Sequence, residues 1–350
     1  MDVKYEHSFF KNTSGEIGIN STYQKNSWQG RFFIPNFYKK SLGAYVIEIF
    51  KWKKWEFEAG IRVDYSKLNV FMNELNNVNE YNHQFQKMSS AIGFSKTFGH
   101  HLELKTNLAT AWRTPSINEL YSNGLHHGAA AIEIGNRNLK VEESYSAQSS
   151  LIFKSLKVNF QIDIYHNQIN GFIYLKPSLV PLLTIKGAFP VFEFEQVNAR
   201  FTGVDFYLSY KIIDQIDFSL KSSIVRAFNL TSQTFIVGIP ADRFEPNLAY
   251  KKEFKSGNKF IFSISSPIYR TQDRIEINSD YVAPPKGYYL INVQCIYSLK
   301  IKKQTLDLSA EISNLTNTIY RDYLNRFRYF SDEIGRNFGI KITYGFLKKL

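Results

Sequence analysis

The chain has 350 residues, of which 44% are apolar and 16% aromatic, and its formal net charge is +12. This apolar content excludes a disordered chain and is sufficient for one large folded structure. The 22 Tyr and 30 Phe favour β-strands, and the single cysteine, Cys295, excludes a disulfide within the chain. The basic charge is compatible with nucleic acid or an anionic membrane surface as a partner.

The positions of the lysines favour the membrane. They are concentrated in four short segments, at 51–55, 154–157, 300–303 and 347–350, and Trp52 and Trp55 lie within the first of these. Tryptophan prefers the boundary between lipid and water, so the segments are typical of one rim of a membrane protein. Because the sequence contains no recognisable nucleic-acid-binding motif, we expect no nucleic-acid partner.

No segment approaches the roughly 20 consecutive apolar residues that a membrane-spanning helix needs. The first seven residues also lack the basic and apolar regions of a signal peptide. If the protein resides in a membrane, we therefore expect it to cross as a β-barrel, with an export signal outside this sequence.

Side chains alternate between apolar and polar in many segments, beginning with 55–65, where odd positions are apolar and Glu56, Glu58, Arg62 and Asp64 occupy even ones. The same period continues in later segments, at 102–108, 158–165, 204–211, 306–313 and 338–346. Counting such runs predicts about fourteen strands of roughly 9–12 residues, a length that suits strands tilted across a bilayer.

The predicted connections alternate between long and short, as in outer-membrane barrels. Long loops are expected near 26–40, 66–83, 113–141, 170–200, 229–242, 269–286 and 315–335. Short turns are expected near 52–54, 98–100, 155–156, 212–214, 253–258 and 300–303. A soluble β-sandwich also has one apolar and one polar face on each strand, and it remains an alternative fold.

Five short motifs resemble, in order, motifs of the TonB-dependent receptors of Gram-negative outer membranes. They are 113–144 (RTPSINELYSNGLHHGAAAIEIGNRNLKVEES), 196–205 (QVNARFTGVD), 238–243 (GIPADR), 314–320 (NLTNTIY) and 335–338 (GRNF). The resemblance implies an all-β fold, a transmembrane antiparallel β-barrel, with residues 1–350 forming the C-terminal part of a 22-stranded receptor barrel. About eight strands are then unaccounted for.

The same resemblance implies a plug domain and an energy-coupling box that contacts TonB, and no segment of this sequence is similar to either. We therefore expect a partial barrel from a truncated or split gene product, in which TonB is a partner only if those parts are supplied elsewhere. The family usually ends on an aromatic residue, whereas Phe346 is followed here by four more residues. A self-closing barrel acting as a passive pore is one alternative function, and a soluble β-rich binding protein is another.

The resemblance further implies a receptor that takes up a metal or metal chelate, such as an iron siderophore, haem or zinc, across the outer membrane of a Gram-negative bacterium. The expected partners are outer-membrane lipid, lipopolysaccharide and the small-molecule ligand, for a monomeric protein. We expect no enzyme activity and no cofactor, since the sequence contains no nucleophile elbow, paired-cysteine zinc motif or phosphate loop.

The candidate metal ligands are His126, His127 and Glu133. Imidazole is a good ligand for zinc, copper or iron, and a carboxylate can complete the site. Adjacent residues of a strand point in opposite directions, so both histidines can bind one ion only if Gly124 and Gly128 allow a turn. Solvated histidines that only order the loop are the simpler interpretation.

Further candidates for contact with ligand lie in the same loop and in the last long loop, namely Tyr121, Arg321, Arg326 and Arg328. Arginines attract an anionic ferric chelate and equally the phosphates of lipopolysaccharide. Loop aromatics such as Tyr121, Tyr320, Tyr323 and Phe330 can stack on a ligand, but they also pack long loops together.

Overall fold

The structure is a computed structural model that describes residues 1–301 and 304–345. Residues named above that lie outside this part are 302–303 of the third basic segment, Phe346 and the basic tail. Within the described ranges, no helix is long and apolar enough to cross a bilayer.

The described residues contain 22 strands and a few short helical turns. The strands are β1 (Asp2–His7), β2 (Thr13–Asn26), β3 (Phe37–Trp52), β4 (Trp55–Val70), β5 (Tyr81–Phe98), β6 (Leu102–Arg113), β7 (Asn123–His126), β8 (Ala131–Ile134), β9 (Glu142–Lys154), β10 (Val158–Pro177), β11 (Leu182–Thr184), β12 (Gly187–Phe189), β13 (Val191–Ile213), β14 (Ile216–Asn229), β15 (Thr234–Phe235), β16 (Arg243–Glu253), β17 (Lys259–Ser265), β18 (Ile268–Tyr269), β19 (Tyr288–Tyr289), β20 (Asn292–Ile301), β21 (Gln304–Ser313) and β22 (Asn337–Gly345). The helix is α1 (Ile117–Tyr121), and 3₁₀ turns lie at Glu74–Asn76, His127–Ala129 and Arg326–Tyr329.

Fifteen of these strands form one continuous wall in which every neighbouring pair is antiparallel. Along the wall they follow chain order, as β1, β2, β3, β4, β5, β6, β9, β10, β13, β14, β16, β17, β20, β21 and β22. The sequence predicted about fourteen, and the additional strand is Asp2–His7, which pairs with β2. Among the described residues, no pairing joins β1 to β22.

The two faces of the wall differ in chemistry and in exposure. On β4, Ile61 and Val63 are 51% and 46% exposed, and Ile92, their neighbour on β5, is 61% exposed. On the opposite face, Arg62 and Asp64 are partly buried and hydrogen bonded to each other. A soluble sandwich would bury the apolar face in its core, whereas here residues of that face are exposed on most strands of the wall. The wall therefore belongs to a transmembrane barrel, with its apolar face toward lipid and its polar face toward the lumen.

The predicted alternation of connections is confirmed. Short turns lie at one end of the wall, at 8–12, 53–54, 99–101, 155–157, 214–215 and 254–258. Long loops lie at the other end, at 27–36, 71–80, 114–141, 178–190, 230–242, 266–291 and 314–336. Strand direction consequently places all the long loops on one side of the membrane.

The predicted loop 170–200 is wrong for most of its length. Strands β10 and β13 stay paired as far as Pro177 and Phe192, with one bulge between Ile169 and Phe172. Beyond the bulge both faces of this hairpin are covered, because Ile173 packs into one buried cluster and Phe172 against another. A strand buried on both faces loses the apolar–polar alternation, which is why the sequence pattern stops there.

Four buried apolar clusters lie at the long-loop end, where loops fold onto the strand ends. We call these clusters, together with the loops at 27–36, 114–141, 178–190, 230–242, 266–291 and 314–336, the loop cap. The remainder of the wall is stabilised mainly by its ladder of backbone hydrogen bonds. All the candidate site residues predicted from the sequence lie in two loops of this cap, 114–141 and 314–336.

Candidate functional site in the loop cap

The loop 114–141 begins with a short helix that packs on the lumen side of the wall. Ser116 and Glu119 form a capping box: Glu119 N donates to Ser116 Oγ at 3.3 Å, and Ser116 N donates to Glu119 Oε2 at 2.7 Å. The helix places Leu120, 1% exposed, in one buried cluster with Leu68 of β4. The Ser-x-x-Glu spacing is a sequence signal for such a helix that the prediction above did not use.

Arg113, the last residue of β6, joins the two ends of this loop. Its Nη1 lies 2.9 Å from Glu119 Oε2, and its Nη2 lies 2.6 Å from Glu142 Oε2. One guanidinium group therefore joins the helix at the start of the loop to the first residue of β9, the strand that follows the loop.

Tyr121, a predicted ligand contact, lies inside the packing of the cap. Its side chain is 6% exposed, and its hydroxyl lies 2.9 Å from His83 Nε2. The Arg137 guanidinium lies over its ring, 5.4 Å from the centroid. Burial raises the pKa of the Tyr121 hydroxyl. These contacts fasten the loop to the wall, and contact between Tyr121 and a ligand stays a prediction.

The motif at 196–205 fastens the other side of the same loop. Gln196 Nε2 donates to Gly171 O at 2.7 Å and to Lys140 O at 2.8 Å, and its Oε1 accepts from Lys140 N at 2.9 Å. Asn198 Oδ1 accepts from Gly171 N at 3.1 Å. Gly171 has a left-handed φ of 72°, which a glycine adopts without strain. The motif thus supports the β10 bulge and the end of the loop.

The motif at 314–320 shapes the last long loop. Asn314 has φ 52°, and its side chain accepts from Thr318 N and donates to Thr318 O, each at 2.8 Å. Asn317 Oδ1 accepts from Arg336 N at 2.9 Å, which joins this motif to the one at 335–338. Four of the five motifs that resemble the receptor family, at 113–144, 196–205, 314–320 and 335–338, therefore hold the loop cap together by hydrogen bonds.

The structure brings two of the three candidate metal ligands together. His126 Nδ1 lies 2.9 Å from Glu133 Oε1, while His127 is an exposed residue of the adjoining 3₁₀ turn. The same Oε1 atom accepts a hydrogen bond from Arg326 Nη1 at 2.5 Å. Within 1–301 and 304–345, no three His, Cys, Asp or Glu side chains are grouped to hold a metal ion. A metal ion that bound Glu133 Oε1 would compete with both His126 and Arg326 for that atom.

A second ion pair is deeply buried in the cap. Arg328 and Asp280 are hydrogen bonded, and their side chains are 6% and 4% exposed. Asp280 Oδ1 also accepts from the Tyr329 hydroxyl at 2.7 Å. The Arg328 guanidinium lies 4.8 Å from the ring centroid of Tyr323 and 4.6 Å from that of Tyr329. Its Nη1 is buried without a hydrogen-bond partner in the described part of the chain.

These residues surround a cavity of about 320 Å³ between the loops. Five of its polar lining residues are Asp280, Tyr323, Arg326, Arg328 and Tyr329. Asp280 was not among the predicted residues, since nothing in its local sequence distinguishes it from other loop acids. Only the fold brings it to Arg328, which is 48 residues away in the chain.

The tyrosines of this cavity remain neutral at physiological pH. Burial raises the pKa of the Tyr323 and Tyr329 hydroxyls, and for Tyr329 the hydrogen bond to Asp280 raises it further. A neutral phenol donates a hydrogen bond and does not present the phenolate oxygen that binds ferric iron strongly. The Tyr329 hydroxyl already donates to Asp280 Oδ1, whereas the buried Nη1 of Arg328 is a donor without a partner among the described residues.

The third predicted arginine, Arg321, lines a different cavity of about 360 Å³. Its Nε donates to Asp332 Oδ1 at 2.6 Å, and its Nη1 donates to Arg328 O at 2.7 Å. Tyr288 and Tyr320, whose ring centroids are 4.4 Å apart, pack beside one another in this region. Arg326 and Arg328 thus line the cavity of about 320 Å³, whereas Arg321 lines the cavity of about 360 Å³.

The apolar outer face, the polar lumen face and the loops folded over one end define the class of membrane-spanning β-barrel receptors. The family model described as the β-barrel of TonB-dependent receptors matches residues 3–315. The chain therefore belongs to the TonB-dependent receptor β-barrel family, whose members are transporters rather than enzymes. None of the curated proteins matches the sequence.

Solved structures of the same fold include three metal-related transport proteins. The copper transporter OprC is 15% identical with a TM-score of 0.77, and the match covers 95% of this chain and 54% of that one. The FrpB iron transporter from Neisseria meningitidis is 12% identical with a TM-score of 0.70, covering 97% and 53%. The ferric yersiniabactin uptake receptor FyuA from Yersinia pestis is 11% identical with a TM-score of 0.65, covering 99% and 53%. The chain thus spans about half the length of the structures it matches.

Proposed function

We propose that this chain is the barrel part of a TonB-dependent receptor in the outer membrane of a Gram-negative bacterium, and that the receptor takes up a metal as an anionic chelate. Family membership supports the location and the transport role. The similar structures named for copper, iron and ferric-chelate transport support a metal-containing ligand.

The observation that favours an anion is the buried Arg328. Its Nη1 has no hydrogen-bond partner within the described residues, yet it lines a cavity that also contains Arg326. A buried, unsatisfied donor on a charged group costs free energy, and an anionic oxygen in the cavity would satisfy it. Arg328 is paired with Asp280 and Arg326 with Glu133, so it is the Nη1 of Arg328, which has no partner within the described residues, rather than a net positive charge, that favours an anion.

The cavity volume of about 320 Å³ is at the small end of ligand sites. A compact chelate, or one arm of a larger chelate, fits such a space. A larger ligand requires separation of Arg326 from Glu133, the contact that joins the loops 114–141 and 314–336. The ligand class we infer is therefore a small anionic metal chelate, or one arm of a larger one such as an iron siderophore.

Direct binding of zinc by His126, His127 and Glu133 is a second candidate, supported by the 2.9 Å contact of His126 with Glu133. We favour the chelate because Glu133 is already paired with Arg326. Replacing both histidines with Ala is expected to leave chelate binding unchanged. Calorimetric titration with zinc measures the direct site separately.

The proposal includes a monomeric protein in contact with lipid and lipopolysaccharide, with residues 1–350 as one barrel domain. Coupling to TonB additionally requires a plug and an energy-coupling box. These parts would be contributed by polypeptide outside this sequence.

The test is binding of the trianionic ferric tris-catecholate complex to the full chain in detergent, measured by calorimetry, with a neutral ferric tris-hydroxamate complex for comparison. We expect Arg326→Gln to weaken binding of the anionic complex by roughly tenfold, the loss of one charge-assisted contact. Arg336→Gln is the matched control, because Arg336 lies in the same loop and donates to Leu315 O at 2.8 Å, outside the cavity. Equal binding of both complexes, or equal effects of both substitutions, would contradict the proposal.

A further inference from the structure

The short turns at one end of the wall are basic, whereas the long loops at the other end are balanced in charge. The six short turns contain five lysines and one acidic residue, Asp214. The seven long loops contain eleven Lys or Arg residues and eleven Asp or Glu residues. None of the five turn lysines forms an ion pair with another described residue, and they are Lys11, Lys53, Lys54, Lys157 and Lys255. The short-turn end can therefore attract an anion from outside the chain.

Two lysine side chains at this end lie beside aromatic rings on the lipid side of the wall. Lys96 Nζ lies 4.4 Å from the ring centroid of Trp55 and 4.8 Å from that of Phe98. Lys53 Nζ lies 5.1 Å from the ring centroid of Trp52. Tryptophan prefers the boundary between lipid and water, and lysine extends its ammonium group to the same boundary. The two ammonium groups consequently lie at the height of lipid head groups, outside the lumen.

A third lysine, Lys54, joins the neighbouring turn to this patch. Its Nζ donates to Gly99 O at 3.3 Å, so the turns at 53–54 and 99–101 are held together. The acidic residue nearest in sequence, Glu56, lies on the lumen face and pairs with Lys51 at 3.1 Å. It therefore does not neutralise the lysines on the lipid side. We call the side chains of this patch the rim cluster, and they are Trp52, Lys53, Lys54, Trp55, Lys96 and Phe98.

A groove of about 670 Å³ lies on the same face of the same strands. Ala59 of β4 and Ile92 of β5 line it and are paired with each other, four residues along their strands from the rim cluster. Four residues of a strand span about 13 Å, which places the groove beside acyl chains and not beside head groups. The acidic residue of its lining, Glu48, lies at the β3 end, where its Oε1 is 3.3 Å from His7 Nε2.

We propose that the rim cluster and the groove together bind one anionic phospholipid of the phosphatidylglycerol class. The phosphodiester lies among the three ammonium groups, since lysine is a suitable partner for a phosphate, and one acyl chain lies in the groove. Charge selects the lipid, because a zwitterionic phospholipid carries an ammonium group of its own that the three lysines repel. The inference depends on the turns and strands of the short-turn end and is independent of the transported ligand.

The first test measures lipid selectivity at the rim cluster by tryptophan fluorescence. The full chain carries Trp28→Phe and Trp112→Phe, so that only Trp52 and Trp55 remain. It is reconstituted into phosphatidylcholine vesicles in which a fraction of the lipid is replaced by brominated phosphatidylglycerol or by brominated phosphatidylcholine, both of which quench nearby tryptophans. We expect phosphatidylglycerol to quench at a lower mole fraction than phosphatidylcholine. Equal quenching by the two lipids would overturn the proposal.

Charge variants decide whether the rim cluster causes this preference. Lys54→Gln with Lys96→Gln removes two of its three charges, and Lys140→Gln with Lys186→Gln removes the same charge from the long loops. We expect the first pair to reduce the preference for phosphatidylglycerol by at least about fivefold, the effect of one lysine at an anionic lipid surface. The second pair should leave the preference unchanged. Equal reductions would mean that the net charge of the chain attracts the lipid without a site.

The last test fills the groove without a change of charge. Ala59→Leu enlarges a residue of the lining, and Ala44→Leu makes the same change on the same face of β3, outside the groove. Both positions are exposed, so neither change overpacks an interior, and heat-modifiable gel migration shows that the variants are folded. We expect Ala59→Leu to weaken quenching by brominated phosphatidylglycerol at least about fivefold and Ala44→Leu to leave it unchanged. Equal effects would exclude the groove from the site and overturn the proposal.

Discussion

The wall and the loop cap of this protein differ in which side chains are exposed and which are buried. In the wall, apolar side chains such as Ile61 and Ile92 are the exposed ones, and backbone hydrogen bonds hold the strands in register. In the cap, apolar side chains such as Leu120 are buried, and charged groups such as Asp280 and Arg328 are buried with them. The difference arises because the wall contacts lipid while the cap contacts water on one side and polar lumen on the other.

The largest expected effect tests the buried ion pair of the cap. Asp280→Asn leaves the Arg328 charge unpaired in a site where the arginine side chain is 6% exposed. We expect a local destabilisation of about 3–5 kcal/mol. Faster hydrogen exchange at 314–336, with unchanged exchange in β3 to β5, would measure it.

The matched control is Asp332→Asn, which removes an ion pair with Arg321 whose side chains are 41% and 48% exposed. Such an exposed pair is screened by solvent and contributes roughly 0–1 kcal/mol. If both substitutions speed exchange equally, the cap is not organised around the buried pair.

The next effect tests the lipid face of the wall. Ile92→Lys puts a charge on the exposed apolar face of β5, and we expect it to cost about 2–4 kcal/mol in a bilayer. Asn107→Lys is its control on the lumen face of β6, where water solvates the charge. Denaturant unfolding in lipid vesicles compares the two, and equal losses would mean that the faces have been assigned incorrectly.

A smaller effect tests the helix that begins the loop 114–141. Ser116→Ala removes the acceptor for Glu119 N and is expected to cost about 1 kcal/mol. Limited proteolysis of that loop should become about fivefold faster, as such a free energy implies. Ser331→Ala, at an exposed position of another loop, should leave the rate unchanged.

The last prediction concerns how the stability of the cap depends on pH through its buried tyrosines, an effect that is absent near neutral pH. The pKa values of Tyr323 and Tyr329 are raised above the ordinary value of 10.0, so their contribution to stability is complete below pH 10. As pH rises further, the unfolded chain loses the phenol protons first and the cap loses stability. Hydrogen exchange at 314–336, corrected for the intrinsic rate, should therefore be constant from pH 7 to about 10 and increase above it. An increase that begins near neutral pH would exclude the tyrosines as its cause.

The sequence alone determined the wall. Period-two alternation gave the strands and their two faces, because each side chain of a strand points to the side opposite its neighbour's whatever the rest of the fold. The alternation of loop lengths assigned the two ends of the wall. The sequence pattern could not locate the end of β10. The apolar–polar alternation of side chains stops near Phe172 and Ile173, because both faces of the strand are covered there.

Only the tertiary structure decided the cap and the candidate site. Glu133 and Arg326 meet across 193 residues, and Asp280 meets Arg328 from another loop, so no local pattern specifies either contact. The sequence named Glu133, Arg326 and Arg328 as chemically suitable residues, but their arrangement depends on how several long loops pack together. Local chemistry thus fixes which face of a strand meets lipid, whereas contacts between distant loops fix which charges share one cavity.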